Sequence, residues 1–131
     1  MIYNIEEVKE HLKNSKERIE SAEILMNAGK YNDAISRVYY AFFDAATAAL
    51  LSKNLTAKTH QGLIIVFGEN FIKSGKITSG AGKWLARAKE AREEADYEIY
   101  KKFDRETAER GIKAAKEFIE EVKKCLCLSE N

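Results

Sequence analysis

Three short segments hold the residues whose types and spacing could do chemistry. The first is Ser36-Arg37-Val38-Tyr39-Tyr40-Ala41-Phe42-Phe43-Asp44. On a helix, Arg37, Tyr40 and Asp44 stand at i, i+3 and i+7 and share one face. A guanidinium suits phosphate because its planar fork of donors matches the oxygens. The Arg37–Asp44 couple therefore has three readings: an ion pair or polar lock at a subunit seam, a phosphate-contacting catalytic pair, or ordinary surface. In the second, Asp44 replaces an imidazole near neutral pH only if its own pKa is strongly raised. The Tyr40 hydroxyl at such a seam would donate to Asp44 of a second copy.

The second segment is Lys58-Thr59-His60-Gln61-Gly62-Leu63, with His60 at a helix start. The third is Arg92-Glu93-Glu94-Ala95-Asp96-Tyr97, in which Arg92 and Asp96 form an i, i+4 pair. Arg37 lies well before the end of its helix, roughly 24 Å at 1.5 Å per residue. His60, just past that end, is expected to be out of its reach within one subunit. His60 is instead expected to join Arg92, Asp96 and Tyr97 in a polar cluster, hydrogen-bonded to a carboxylate such as Asp96 or poised as a base. Arg37, Lys58, His60 and Arg92 would be the contacts of a nucleotide or RNA phosphate.

Most familiar enzymatic signatures are absent from the sequence: no phosphate-cradling Gly loop, no HExxH, no calcium loop. Neither His11 nor His60 follows Glu at the Glu-x-x-His spacing of a di-metal bundle. Cys125 and Cys127 point in different directions on a helix and lack companion ligands. No metal and no cofactor is expected.

The elements that must position these residues are helical. There is no proline, and only seven glycines interrupt the chain. Asn4 with Glu7 reads as a capping box, followed by Ile5, Val8, Leu12, Ser15, Ile19, Ala22 and Met26 on one face, and Gly29 closes the run. A second helix, from about Tyr31 to Lys53, is apolar nearly all round, so both its sides must be covered, by neighbours or by a second copy. A third begins near His60 and buries Leu63, Ile64, Phe67 and Phe71. A fourth runs to about Tyr97 with Trp84, Leu85, Ala88, Ala91 and Ala95 inward, and Asp104 caps the last. The expected fold is all-α: one domain over residues 1–131, an antiparallel up-and-down four-helix bundle with an additional shorter helix.

The totals limit partners. Twenty-two Lys and Arg against 21 Asp and Glu leave a net charge of +1, so nucleic-acid contact must come from a local patch. The longest apolar stretch is broken by Asp44 and is too short to span a bilayer. With no basic-then-apolar start, a cytoplasmic protein without membrane contact is expected.

The order Ala-Ile-Ser-Arg-x-Tyr-Tyr-Ala-x-Phe, then Lys-Thr-His-x-Gly-Leu, then Arg-x-x-x-Asp-Tyr resembles the HEPN family over roughly residues 22–97. The resemblance implies a prokaryotic helical bundle that forms dimers, here through the second helix. It also implies pairing with a small nucleotidyltransferase in toxin–antitoxin modules. Many members are metal-independent RNA endonucleases with an Arg followed, after four to six residues, by a His; others are inactive adaptors or RNA or nucleotide binders. Arg37 matches the Arg, but position 44 is Asp, and neither Phe42 nor Phe43 is His.

Overall fold

The computed structural model describes residues 4–97 and 102–126. Five α-helices follow in order: α1 (Ile5–Asn27), α2 (Tyr31–Leu51), α3 (His60–Phe67), α4 (Ser79–Tyr97) and α5 (Arg105–Cys125). A π-helical turn, Gly68–Ile72, extends α3. There is no strand among the described residues, and none of their helices is long and apolar enough to cross a membrane. Cys127 lies outside the described residues.

Local chemistry sets the helix ends. Asn4, Thr59 and Asp104 each accept, through a side-chain oxygen, the backbone N–H three residues on, at 3.1, 2.9 and 2.9 Å. Each satisfies a donor that the first turn leaves without a helical partner. α1 stops at Gly29, whose φ of 78° suits a residue without Cβ, and Lys30 N–H closes back on Leu25 O at 2.8 Å. α2 ends the same way, with Asn54 at φ 58° and Leu55 N–H bonded to Leu50 O at 2.9 Å.

Pairwise contacts fix the directions. His11 meets Asp44 and Ser15 meets Ala41, so α1 and α2 are antiparallel. Arg92 meets Tyr40 and Asp96 meets Ser36, so α4 also runs against α2. Val38 against Gly111 and Phe42 against Phe118 place α5 parallel to α2. The long helices thus alternate up and down. α2 packs against α1, α3, α4 and α5, which explains its nearly continuous apolar surface.

Small side chains let the helices approach closely. Ser15 is fully buried and donates to Ala41 O at 2.6 Å, while Ala34, Ala41, Ala45, Ala46, Ala48 and Ala49 of α2 are buried. Aromatic rings fill the centre: Phe42, Phe67, Phe71 and Phe118 are all about fully covered. The wider π turn brings Phe67 and Phe71 into a stacked pair 5.2 Å apart.

One expected core residue lies elsewhere. Trp84 is 39% exposed. The inward stripe of α4 is Ala81, Leu85, Ala88 and Ala91, and Trp84 sits a residue, or 100° of rotation, off it. Its ring borders a shallow hollow with Ile35, Arg87 and Arg110.

Candidate functional site

Although central, α2 leaves one narrow stripe half covered: Ser36, Tyr40, Phe43, Thr47 and Leu51, spaced by three or four residues. Polar side chains from three other helices converge on its upper part.

Arg92 of α4 is the hub. Its Nη2 donates to the Tyr40 hydroxyl at 3.3 Å, and its guanidinium carbon lies 5.5, 5.7 and 5.9 Å from the ring centres of Tyr39, Tyr40 and Tyr97. Asp96 Oδ2 stands 3.7 Å from Arg92 Nε, and Asp96 Oδ1 accepts the Ser36 hydroxyl at 2.7 Å. Burial works against the Arg92 cation, but the Tyr40 and Tyr97 hydroxyls and the Asp96 carboxylate outweigh it, so its pKa moves up. Arg92 Nε is buried and has no hydrogen-bond partner among the described residues. A guanidinium held between aromatic faces, with donor capacity left over, is chemically suited to an anionic oxygen.

His60 enters the cluster by an unexpected route. Its Nδ1 pairs with the Tyr39 hydroxyl at 2.7 Å rather than with Asp96. Its ring lies 4.6 Å from that of Phe43. Counting helix levels placed His60 beyond the far end of α2. In fact residues 52–59 run back along α2 and return His60 to the level of Tyr39 and Phe43. Eight residues can span about 25 Å when extended, enough for that return. Burial, and then the Arg92 and Lys89 cations, lower the His60 pKa from 6.5. A neutral ring accepts at Nδ1 from the phenol. Burial likewise pushes the Tyr39 phenol up to about 12, so it stays a donor.

The Arg37–Asp44 couple does not form. Arg37 is exposed and has no ion pair with another described residue, and Lys58 is exposed on the connector. Asp44 is buried against α1: its Oδ1 lies 3.2 Å from His11 Nδ1 and its Oδ2 3.4 Å from Arg18 Nε. Sharing a helix face was not enough, because i and i+7 lie about 10.5 Å apart along the axis. α1 fills the space beside Asp44 before Arg37 can reach it. The Tyr40 hydroxyl accepts from Arg92.

His11 and Arg18 are the site members that lie outside the motifs, and Ser36 and Tyr39 lie within the first motif without a role assigned from the sequence. His11 and Arg18 stand at i, i+7, beside the Leu12–Ser15–Ile19 stripe. Two cation-capable side chains at that spacing, facing a helix with a lone buried Asp, were the readable signal. Among the described residues no three His, Cys, Asp or Glu side chains gather as a metal site.

Residues 8–125 match the HEPN domain. The chain belongs to the HEPN domain family. A Methanocaldococcus jannaschii protein named "Putative toxin MJ0605" is 37% identical over 121 residues, 92% of this chain and 90% of that protein. A second from the same organism, "Putative toxin MJ0142", is 30% identical over 125 residues, 95% and 84% of the two chains. A Thermotoga maritima protein named UPF0332 is 30% identical over 112 residues, 86% and 85%. The matched span contains the whole cluster from His11 to Tyr97. In this HEPN domain the imidazoles sit on α1 and α3, and the α2 position is a carboxylate.

Proposed function

We propose that this HEPN domain is the toxin-like component of a two-protein module. It acts as a homodimer closed over the half-covered stripe of α2, engages RNA or nucleotide phosphate beside that stripe, and is neutralised or modified by a small nucleotidyltransferase. The observation that carries this reading is Arg92, its guanidinium held against the rings of Tyr39, Tyr40 and Tyr97 beside the Tyr40 hydroxyl and the Asp96 carboxylate. The Arg18 guanidinium carbon stands 5.5 Å from the Tyr40 ring centre, so two guanidiniums share one ring on an otherwise charge-balanced protein. Arg37, on α2, and Lys58, two residues before His60, are exposed as further cations. The relatives' names favour a toxin context.

The test combines mass and binding. Light scattering of the purified full chain should give twice the chain mass, and Thr47→Arg, in the middle of the stripe, should give one. Fluorescence anisotropy with a single-stranded RNA should show affinity falling with salt; three phosphate contacts give a log–log slope of about −2. Arg92→Gln should weaken binding at least about tenfold, since a charge-assisted bond contributes about 1.5–3 kcal/mol. Co-purification with a co-expressed small nucleotidyltransferase tests the partner. A monomer that binds neither RNA nor nucleotide ends the proposal.

A reading of Asp44 as the partner of Arg37 in an RNA endonuclease is disfavoured by geometry, because its two oxygens face His11 and Arg18 of α1 at 3.2 and 3.4 Å.

A further inference from the structure

A groove runs between α3 and α4 on the side of the bundle away from α1. α3 and its π turn form one wall and the first turns of α4 the other, around a space of about 520 Å³. Phe67 and Leu85 close the floor, each 1% exposed. Ile64, Ile65, Ile72 and Ala86 form the sides. Ile65 is 50% exposed, which puts a large apolar side chain into water at the lip.

Gly68 lies on this groove and is not required by the chain itself. Its φ and ψ are −58° and −45°, ordinary helical values that any residue adopts. A Cβ there would meet nothing within 4 Å. Glycine weakens a helical run relative to alanine, so neither the backbone nor a neighbouring side chain accounts for it. Gly82 on the facing wall differs, because a Cβ there would meet Ile72 at 3.0 Å. What Gly68 does allow is close approach of an outside side chain to the backbone.

Charge and shape select the occupant. Residues 73–78 join the two walls, and Lys73 and Lys83 stand at that end, both exposed and without an ion pair to another described residue. Glu69 is the acidic side chain of the lining, so the rim carries a net positive charge at the joined end. An apolar floor gives a polyanion little to hold, and an open side gives a small molecule little cover. Residues 64–73 extend about 14 Å at 1.5 Å per residue, room for two to three turns of a second helix. An amphipathic helix fits such a groove by laying an i, i+3, i+7 apolar stripe into it. Carboxylates at one of its ends would then meet Lys73 and Lys83.

We infer that this groove seats an amphipathic helix of a partner protein, with an apolar side chain over Gly68 and acidic residues beside Lys73 and Lys83. The inference names a docking surface for the second protein of the module proposed above and rests on that reading.

Fluorescence anisotropy on the purified full chain tests this with three labelled helical peptides of three turns each. The first has Leu at i, i+3, i+4 and i+7 and Glu at both ends. The second has Lys in place of Glu, and the third is the first in scrambled order. Wild type should bind the first at least about tenfold tighter than either other, the difference one interface anchor makes. Gly68→Leu puts a side chain into the groove and should weaken that binding at least about tenfold with no fall in Tm, because its Cβ has room. Lys73→Glu/Lys83→Glu should reverse the preference and take the Lys peptide over the Glu peptide, which damage to the fold does not produce. Equal binding of the first and scrambled peptides overturns the inference, as does wild-type affinity in Gly68→Leu. So does a halved mass for Ile65→Asp in light scattering, which makes a second copy the occupant. Each of these outcomes leaves the proposed function standing. That reading fails instead when the wild-type chain is a monomer that binds neither RNA nor nucleotide, which the peptides do not measure.

Discussion

Consider removing the bond between Tyr39 and His60 one partner at a time. Tyr39 is 1% exposed, and its hydroxyl reaches His60 Nδ1 at 2.7 Å. His60→Leu leaves a phenol hydroxyl buried with no acceptor in its place, which costs about 1–3 kcal/mol. It also removes the ring contact with Phe43 at 4.6 Å. Tyr39→Phe removes the donor but leaves the nitrogen on a half-buried ring that retains some access to water, so the loss is about 0.5–1.5 kcal/mol. The double variant deletes both polar groups, and an apolar pair of similar shape is nearly neutral there. The cycle should therefore show a coupling of about 1.5–4.5 kcal/mol, with the His60 single variant the worst of the three. Urea unfolding read from the midpoint at constant slope measures each corner. For a chain of this length each kcal/mol is about 3–5 °C in Tm. Two losses that add within about 0.3 kcal/mol would refute the reasoning, because independent sites behave that way.

The other expectations are quickly stated. The folded His60 pKa lies below the 6.5 of the free side chain. Between those two values the unfolded chain holds the extra proton, so stability falls as pH drops through the window and levels off beneath it; urea midpoints across pH 4–7 should show the fall, and Tyr39→Phe/His60→Leu should flatten it. Phe42→Ala removes a ring with no exposure that sits 5.0 Å from Phe118, and should cost about 3–5 kcal/mol by the same unfolding assay. The two glycines at helix contacts should diverge. A Cβ at Gly111 would meet Val38 at 3.4 Å, an ordinary contact, so Gly111→Ala should gain up to about 1 kcal/mol from helix propensity. At Gly82 it would meet Ile72 Cδ1 and Cγ1 at 3.0 Å, and Gly82→Ala should lose stability despite the same propensity gain.

The helices were legible because their signals are local. A cap at Asn4, a glycine at 29, a stripe of apolar residues and the absence of proline all act within a turn or two, and the ends of α1 match them. The all-round apolar character of α2 announced its central place for the same reason. What the chain does between helices was not readable. Nothing in residues 52–59 says that they turn back along α2, yet that return brings His60 to Tyr39. The π turn after Phe67 was equally silent, since it depends on how Phe67 and Phe71 stack once packed. The candidate site divides along this line. Arg92 with Asp96 is an i, i+4 pair and was visible. Arg37 with Asp44 looked equivalent on paper, but competition from α1 decided it, and such competition has no local signature.

Asp44 is where that competition has a functional consequence. A nearly covered carboxylate on an otherwise apolar helix costs desolvation free energy unless counter-charge meets it. Here two cation-capable side chains meet it, where one would neutralise it. When His11 is protonated the trio carries a net positive charge, and when His11 is neutral the carboxylate and Arg18 cancel. Arg92, with Asp96 3.7 Å away, shares the Tyr40 ring with Arg18 of this trio. Exposed Arg37 and Lys58 are then the unmatched charges of the region, while the chain as a whole is nearly neutral. Charge local to one stripe decays within about 10 Å at moderate salt, so it attracts an anion only once the anion is already close. If this face binds the RNA or nucleotide proposed above, recognition depends on fit at short range, and binding to an arbitrary polyanion should be weak.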